Sequence, residues 1–339
     1  PPRSTLFPYT TLFRSGRSSA ENQAQGIVPS ASTGGGGEEE APASLRLVLR
    51  LDFQKAARRG AVAEEVSSRE KRVFLENTAA VLGRRLGAKA KVRMQGEDRI
   101  LVEVPRCGED ETESLRALVT RPGRFELRFV LEGEMSDLDF DAERRRLERW
   151  LAEPRNQALV GPDPGEISVF NSLGPGSGGP RRPDLVCWVP VHQDADPSRS
   201  EVSVPIEWRD ACGEPRRGPA RFMACLPAAA PFSGKDLQGA EGSRDDRGHP
   251  ALAFWFHPEK EAAFGEFSAA NIGKPIAVIL DDRVRTAPII GSRLSGPMML
   301  SGGSKGFSSE EVEILVRTLP GGELPIPVVV EEPLPSGRK

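Results

Sequence analysis

The run from Asn271 to Ile290 constrains the fold more than any other part of this chain. Pro275, Ile276, Ala277, Val278, Ile279 and Leu280 form one apolar half-strand, Val284, Thr286, Ala287 and Ile289 belong to a second, and Asp281-Asp282 stand between them. Asx residues tolerate the left-handed backbone that a two-residue hairpin turn demands, so the stretch predicts an antiparallel hairpin with an acidic tip. The same logic argues against metal or general-acid work by the paired carboxylates, because neighbouring strand residues point to opposite faces. Downstream, Ser308 and Glu311 have the spacing of a capping box ahead of a helix over 309–319. Gly321-Gly322 supply the permissive backbone of a helix exit, and a strand over 326–331 follows.

The surrounding chain repeats one order of elements. Residues 251–256 predict a strand and 258–271 a helix with Phe264 and Phe267 inward, so the region from 251 onward reads β-α-β-β-α-β. Upstream, 45–53 alternates apolar and basic residues as a strand. Residues 64–86 then place Val66, Val73, Leu75, Ala79, Leu82 and Leu86 at near-helical spacing before Gly87. Strands over 90–94 and 100–104 flank Gln95-Gly96-Glu97-Asp98, a helix over 113–120 stops at Pro122-Gly123, and a strand over 124–131 completes the same order. The expected class is α+β: two ferredoxin-like β-α-β-β-α-β modules with an irregular Pro/Gly-rich insertion. The expected boundaries are a lead-in at 1–43, a base-like module at 44–131, the insertion at 132–230, a head-like module at 231–333 and a tail at 334–339. Inside the insertion, 140–151 reads as a short Arg-rich helix, and 185–191 and 201–208 as short strands broken by Pro and Gly.

Among 339 residues, 35 glycines and 30 prolines, many of them clustered, make the ordered core smaller than the length suggests. Residues 16–43 are Ser, Ala, Gly and Glu rich and lack the apolar content that offsets chain entropy. Residues 1–15 are set aside, because 4–15 resemble translated sequencing-adaptor sequence. Lys and Arg number 46 against 49 Asp and Glu, a formal charge of −3, so no sequence-wide positive field exists to hold a phosphate backbone. A nucleic-acid partner is not expected. No run approaches the roughly 18 apolar residues of a membrane span, and the N-terminus lacks the order of a signal peptide.

Reactive constellations are sparse. Cys107, Cys187, Cys212 and Cys225 include no Cys-x-x-Cys pair and have no His at ligand spacing, so neither a metal nor a cofactor is expected. Cys212 with Cys225 could form a disulfide outside the cytoplasm, with unpaired thiols as the alternative. His192, His249 and His257 fall in separate segments, none beside a Ser, Cys or Asp pattern, and read as surface or strand-end residues. The Arg clusters at 144–146, 181–182 and 216–217 are diluted by Asp and Glu and read as solvated faces. Trp188, Trp208 and Trp255 sit in strand-like runs, where burial is the usual role. No Gly-rich phosphate loop, Gly-x-Ser-x-Gly elbow or His-Glu-x-x-His helix occurs, and the chain is not expected to be an enzyme.

Phe232-Ser233-Gly234-Lys235-Asp236-Leu237, Asn271-Ile272-Gly273-Lys274, Leu280-Asp281-Asp282-Arg283-Val284, Ala287-Pro288 and Gly322-Glu323-Leu324-Pro325 occur in an order that resembles the periplasmic domain of SecD, a membrane subunit that assists protein export. Ile100-Leu101-Val102-Glu103-Val104-Pro105 and Pro122-Gly123-Arg124-Phe125-Glu126-Leu127-Arg128 extend the likeness, which covers 45–131 and 231–333. The Gly-rich run that precedes the first strand in that family is absent, and the middle segment is unusually rich in Pro, Gly and Arg.

The resemblance implies a ferredoxin-like base and a mobile head that hold emerging polypeptide while proton flow through membrane helices drives it outward. It implies SecF, the SecYEG channel and unfolded exported polypeptide as partners. It also implies a cell-membrane location, extracytoplasmic, with membrane contact only through segments beyond this chain. The family-motif positions are Gly234, Lys235, Asp236, Asn271, Gly273, Asp281, Pro288, Gly322 and Pro325, structural or peptide-handling in role. The other reading is a stand-alone secreted or lipid-anchored peptide-binding module that reuses the fold.

Overall fold

The computed structural model describes residues 45–58, 61–105, 109–131, 140–160, 167–172, 186–195, 201–209, 214–226, 232–303 and 306–331. The lead-in 1–43, the tail 334–339, Cys107, Cys212 and Arg181-Arg182 lie outside these residues.

A first unit opens with β1 (Leu45–Leu51), where Leu47, Leu49 and Leu51 are buried while Arg46 and Arg50 pair on the other face with Glu103 and Glu331. After α1 (Phe53–Arg58), the helix α2 (Ser68–Leu86) starts where Ser67 and Glu70 make a reciprocal capping box, so it begins at 68 and not at 64. Its buried stripe is Leu75, Thr78, Val81, Leu82, Arg85 and Leu86. Val73, expected inward, falls outside that stripe and is 50% exposed. Then come β2 (Lys91–Gln95), β3 (Arg99–Val104) and α3 (Glu109–Thr120).

The first sheet has the order β14-β1-β3-β2, antiparallel throughout, and its edge strand β14 (Val328–Glu331) comes from the far end of the described chain. This corrects the expected arrangement of two self-contained modules. The strand meant to complete the first sheet, β4 (Phe125–Phe129), pairs instead with β11 (Ile276–Leu280), and the strand meant to close the second module joins the first sheet. Alternation and turn residues identify a strand but not which of two sheets receives it. All five residues of β11 are buried, so it requires partners on both edges, and β4 supplies one of them.

The second unit stacks two sheets. One has the order β13-β10-β9, from β9 (Leu237–Arg244), β10 (Pro250–Phe256) and β13 (Met298–Ser301). The other has the order β12-β11-β4-β8, from β8 (Phe232–Ser233) and β12 (Arg283–Thr286) with the strands already given. Phe125, Phe232, Phe254, Phe256 and Phe264 fill the space between, with Phe232 meeting Phe264 edge-on at 4.8 Å between ring centroids. Phe264 comes from α7 (Pro258–Ala270) and is buried as expected, while Phe267 is only partly covered.

The insertion is not irregular where it is described. It holds α4 (Phe140–Leu151), α5 (Pro154–Val160), α6 (Ile167–Ser172) and a sheet of order β5-β7-β6, from β5 (Cys187–Pro190), β6 (Glu201–Arg209) and β7 (Pro215–Cys225). Its core includes Leu147, Leu151, Phe170, Trp188 and Phe222. Pro and Gly masked β7 in the sequence. Pro219 stands opposite Pro205, and β5 covers β7 only from Phe222 to Cys225, so the proline nitrogens face no strand that needs their missing hydrogens. The outer edge of β5 is satisfied by Asn171, whose side-chain amide accepts from the Trp188 N–H at 2.9 Å and donates to its carbonyl at 2.8 Å. Bridges from Val130 to Cys225 and from Val191 to Val284 join the insertion to the second unit.

The two units share one helix, α8 (Ser309–Gly321). Val312, Leu315 and Leu319 enter the core of the second unit, whereas Ile314 enters that of the first. Ser308 caps the helix by accepting from the Glu311 N–H at 3.0 Å, but the expected reciprocal bond is absent because the Glu311 carboxylate pairs with buried Arg285 at 3.0 Å. Leu315 is 0% exposed, and Leu315→Ala is expected to lower stability by about 2–5 kcal/mol in urea unfolding. Val73→Ala, on the outer face of α2, is expected to change it by less than about 0.5 kcal/mol.

Candidate functional site

The charged seam between the two units is built around the acidic hairpin tip. Asp281 and Asp282 adopt φ of 50° and 65°, the left-handed pair that a two-residue turn between β11 and β12 requires. The Asp281 carboxylate accepts from the Gly123 N–H at 2.6 Å and the Arg124 N–H at 3.1 Å, and it also pairs with Arg121. Asp282 pairs with Arg124 at 2.8 Å, and Arg124 reaches Glu323 at 2.8 Å. Burial works against the Arg124 charge, but Asp282, Glu323 and Glu126 outweigh it and raise its pKa.

The carbonyls of the same loop face the other way, toward Arg85. Its guanidinium donates to the carbonyls of Leu118 at 3.2 Å, Arg121 at 2.5 Å, Pro122 at 2.7 Å and Gly322 at 2.7 Å. Leu118 lies in the last turn of α3, Arg121 and Pro122 just beyond it, and Gly322 just beyond α8, while Arg85 itself lies in the last turn of α2. Three helix C-termini therefore meet at one cation, which serves carbonyls that have no intrahelical partner. Burial lowers the Arg85 pKa to about 10, with Asp281 opposing that shift, and the side chain stays charged near neutral pH. Gly123, at φ +73°, makes this approach possible, because a Cβ there would lie 2.1 Å from Arg85 Nη2. Leu324 N–H donates to the Pro122 carbonyl at 2.8 Å, so the two chain crossings between the units are bonded to each other.

Clefts flank the seam. One of about 390 Å³ is lined by Asp52, Lys55, Arg124, Asp282, Glu323 and Pro325 among others. Another of about 430 Å³ holds His192, Arg283, Arg285 and Glu311. His192 Nδ1 accepts from the Asp194 N–H at 3.2 Å, and burial followed by Arg285 pushes the imidazole pKa down to about 4. A groove of about 570 Å³ runs between α2, α3 and α8, with Leu86, Ala90, Val104, Leu115, Leu118 and Ile314 along it and Glu111, Glu310, Lys89 and Arg317 also lining it.

The motif positions divide into groups. Asp281 and Gly322 meet in the seam, Pro325 lines its cleft, and Gly234 packs near Phe125 and Gly123. Asn271, Gly273 and Pro288 lie at the open end of the hairpin: Asn271 bonds Phe267 O and Lys274, Gly273 N–H donates to Ile290 O at 2.8 Å, and Pro288 O accepts from Ile276 N–H at 2.9 Å. Asp236 caps a short 3₁₀ turn through Ser233 and pairs with Lys260 at 3.1 Å, while Lys235 is exposed. Sequence reasoning missed Arg85, Arg121 and Gly123. The signal present was Pro122-Gly123 after a helix, a turn whose freed carbonyls need a donor. Among the described residues, no group of three or more His, Cys, Asp and Glu is placed to hold a metal ion. The carboxylates of the seam are taken up by arginines and backbone amides, an arrangement suited to holding chain segments together.

The fold and this seam define an α+β protein of two interleaved units with clefts along their junction. Residues 216–326 match the family described as SecDF, P1 head subdomain. The chain is 39% identical over 93 residues to the protein translocase subunit SecD of Rhodobacter capsulatus, covering 27% of this chain and 16% of that one. Over 290 residues it is 26% identical to the protein translocase subunit SecDF of Thermus thermophilus, covering 85% of this chain and 29% of the relative. These shares mean that the chain spans less than a third of either relative. A solved structure described as a membrane component SecDF that enhances protein export aligns with a TM-score of 0.48 at 23% identity, covering 86% of this chain and 99% of that one. The chain is thus similar to part of the SecD and SecDF protein translocase subunits, with the family match confined to the P1 head subdomain over residues 216–326.

Two outcomes follow from the seam. Gly123→Ala is expected to destabilise the protein by roughly 2 kcal/mol more than Gly96→Ala in urea unfolding: both sites have positive φ, but only Gly123 lacks room for a Cβ. His192 is held neutral when folded and titrates near 6.5 when unfolded, so its contribution is present above about pH 6.5 and is lost as pH falls toward about 4. Stability should drop across that window by at most about 3 kcal/mol, and His192→Gln should flatten that part of the profile.

Proposed function

We propose that the chain is the extracytoplasmic part of a SecD-type export subunit that holds translocating polypeptide during proton-motive-force-assisted secretion. The match of residues 216–326 to the SecDF P1 head carries this reading. In it, the first unit is a ferredoxin-like base formed by β1, α2, β2, β3, α3 and β14. The head is inserted between α3 and β14, and the insertion at 132–230 is attached to that head. SecF and the SecYEG channel are the proposed partners, and the site faces the periplasm or cell exterior of a membrane-bound assembly.

Two surfaces support a holding role. The groove between α2, α3 and α8 offers aliphatic walls with charged residues beside them, a match for short apolar stretches of unfolded chain. At the open end of the hairpin, Ile272 and Ile289 are 55% and 57% exposed. No helix among the described residues is long and apolar enough to cross a membrane, so proton coupling is assigned to spans elsewhere in the assembly.

Photo-crosslinkers placed at Leu115 and Ile289 in the membrane-assembled subunit, with an export intermediate arrested in the channel, test the reading. An adduct to the exported chain at either position is expected. Adducts at neither position, with efficient crosslinking at a control site in the exported chain itself, would remove the holding role.

A further inference from the structure

We propose that Cys187 and Cys225 are a disulfide site, through which a thiol oxidant covalently fastens β5 to β7. The two residues stand directly opposite each other in the antiparallel β5–β7 ladder and therefore project from the same face. Leu131 N–H donates to Ala224 O and Leu226 N–H to Phe129 O, both at 2.9 Å, which turns the amide and carbonyl of Cys225 away from Val130 and toward Cys187. The cysteines thus form a hydrogen-bonded pair, for which the Cα separation is about 5.5 Å, inside the range that a disulfide spans. Closing the bond asks a small inward shift of β5, an edge strand whose outer side is held by Asn171.

Access to the pair is asymmetric. Cys187 is half-buried and lines a cleft of about 240 Å³ with Arg128, Glu126 and Asn171, whereas Cys225 is 0% exposed. The reaction follows from this placement. The Cys187 thiolate attacks a disulfide of the oxidant, forming a mixed disulfide and releasing one oxidant thiolate. The Cys225 thiolate then attacks Cys187 Sγ and releases the second, so two protons and two electrons leave the protein as one S–S bond forms. Burial raises both thiol pKa values, with Arg128 partly offsetting the rise at Cys187, so the exchange should be slow at neutral pH and faster in alkali. The bond would tie down the strand that carries buried Trp188 and leads through Val191 to its bridge with Val284. An oxidant in the native setting depends on the extracytoplasmic location proposed above; the chemistry of the pair does not.

Incubating the purified 339-residue chain with oxidised glutathione, quenching with acid, alkylating in denaturant and mapping linked peptides tests the site. A peptide joining Cys187 to Cys225, lighter by two hydrogens than the reduced pair, is expected in the wild type and in Cys212→Ser. It should be lost in Cys187→Ser and Cys225→Ser. Free alkylated thiols at both positions after prolonged oxidation, or Cys225 linked to Cys212 in place of Cys187, would overturn the proposal. Either result would leave the export reading untouched, because no membrane component takes part.

Discussion

One guanidinium, that of Arg85, holds the architecture together. A buried cation is costly unless its hydrogens find acceptors, and here Nη1 and Nη2 find backbone carbonyls at or just beyond the ends of α3 and α8, while the buried Nε has no partner among the described residues. The Leu118 carbonyl, four residues before Pro122, which has no N–H to donate, is an orphan of helix geometry that Arg85 satisfies, and the Pro122 carbonyl is shared between Arg85 and Leu324 N–H. The result fixes where three helices end relative to one another. Because those ends are also where the chain crosses between its two units, fixing them fixes the units.

The Asp281 turn completes this arrangement from the opposite side. Residues 121–124 present carbonyls to Arg85 and amides to Asp281, which leaves the loop little freedom to move without exposing unpaired polar groups. The helix α8 adds an apolar link, since its side chains belong to two cores at once. The strands add a third, because β4 and β14 each lie in the sheet opposite to the one that chain order suggests.

Much of this was legible in the sequence. The hairpin with its acidic tip, the capped helix after Ser308 and the helix at 140–151 all stand where hydrophobic period and turn chemistry place them. The exchange of β4 and β14 was not, because period and turns act over neighbouring residues while strand pairing is decided across 150 to 280 positions. β7 was hidden by prolines that are harmless on an uncovered flank. The match to the P1 head begins at 216, inside β7. At the seam, Asp281 was marked as a turn former and as a family-motif position. Its partners stayed invisible because Arg85 looks in sequence like any basic residue of a helix's last turn.

Native-state hydrogen exchange on the chain and its Arg85→Met variant tests the central claim most directly. The Gly123 and Leu324 amides should lose protection in the variant, and the slowest amides of β1 and of β11 should lose it by equal free energies, since both units open together. If β11 keeps its protection while β1 loses its own, the units are independent and Arg85 is not what joins them.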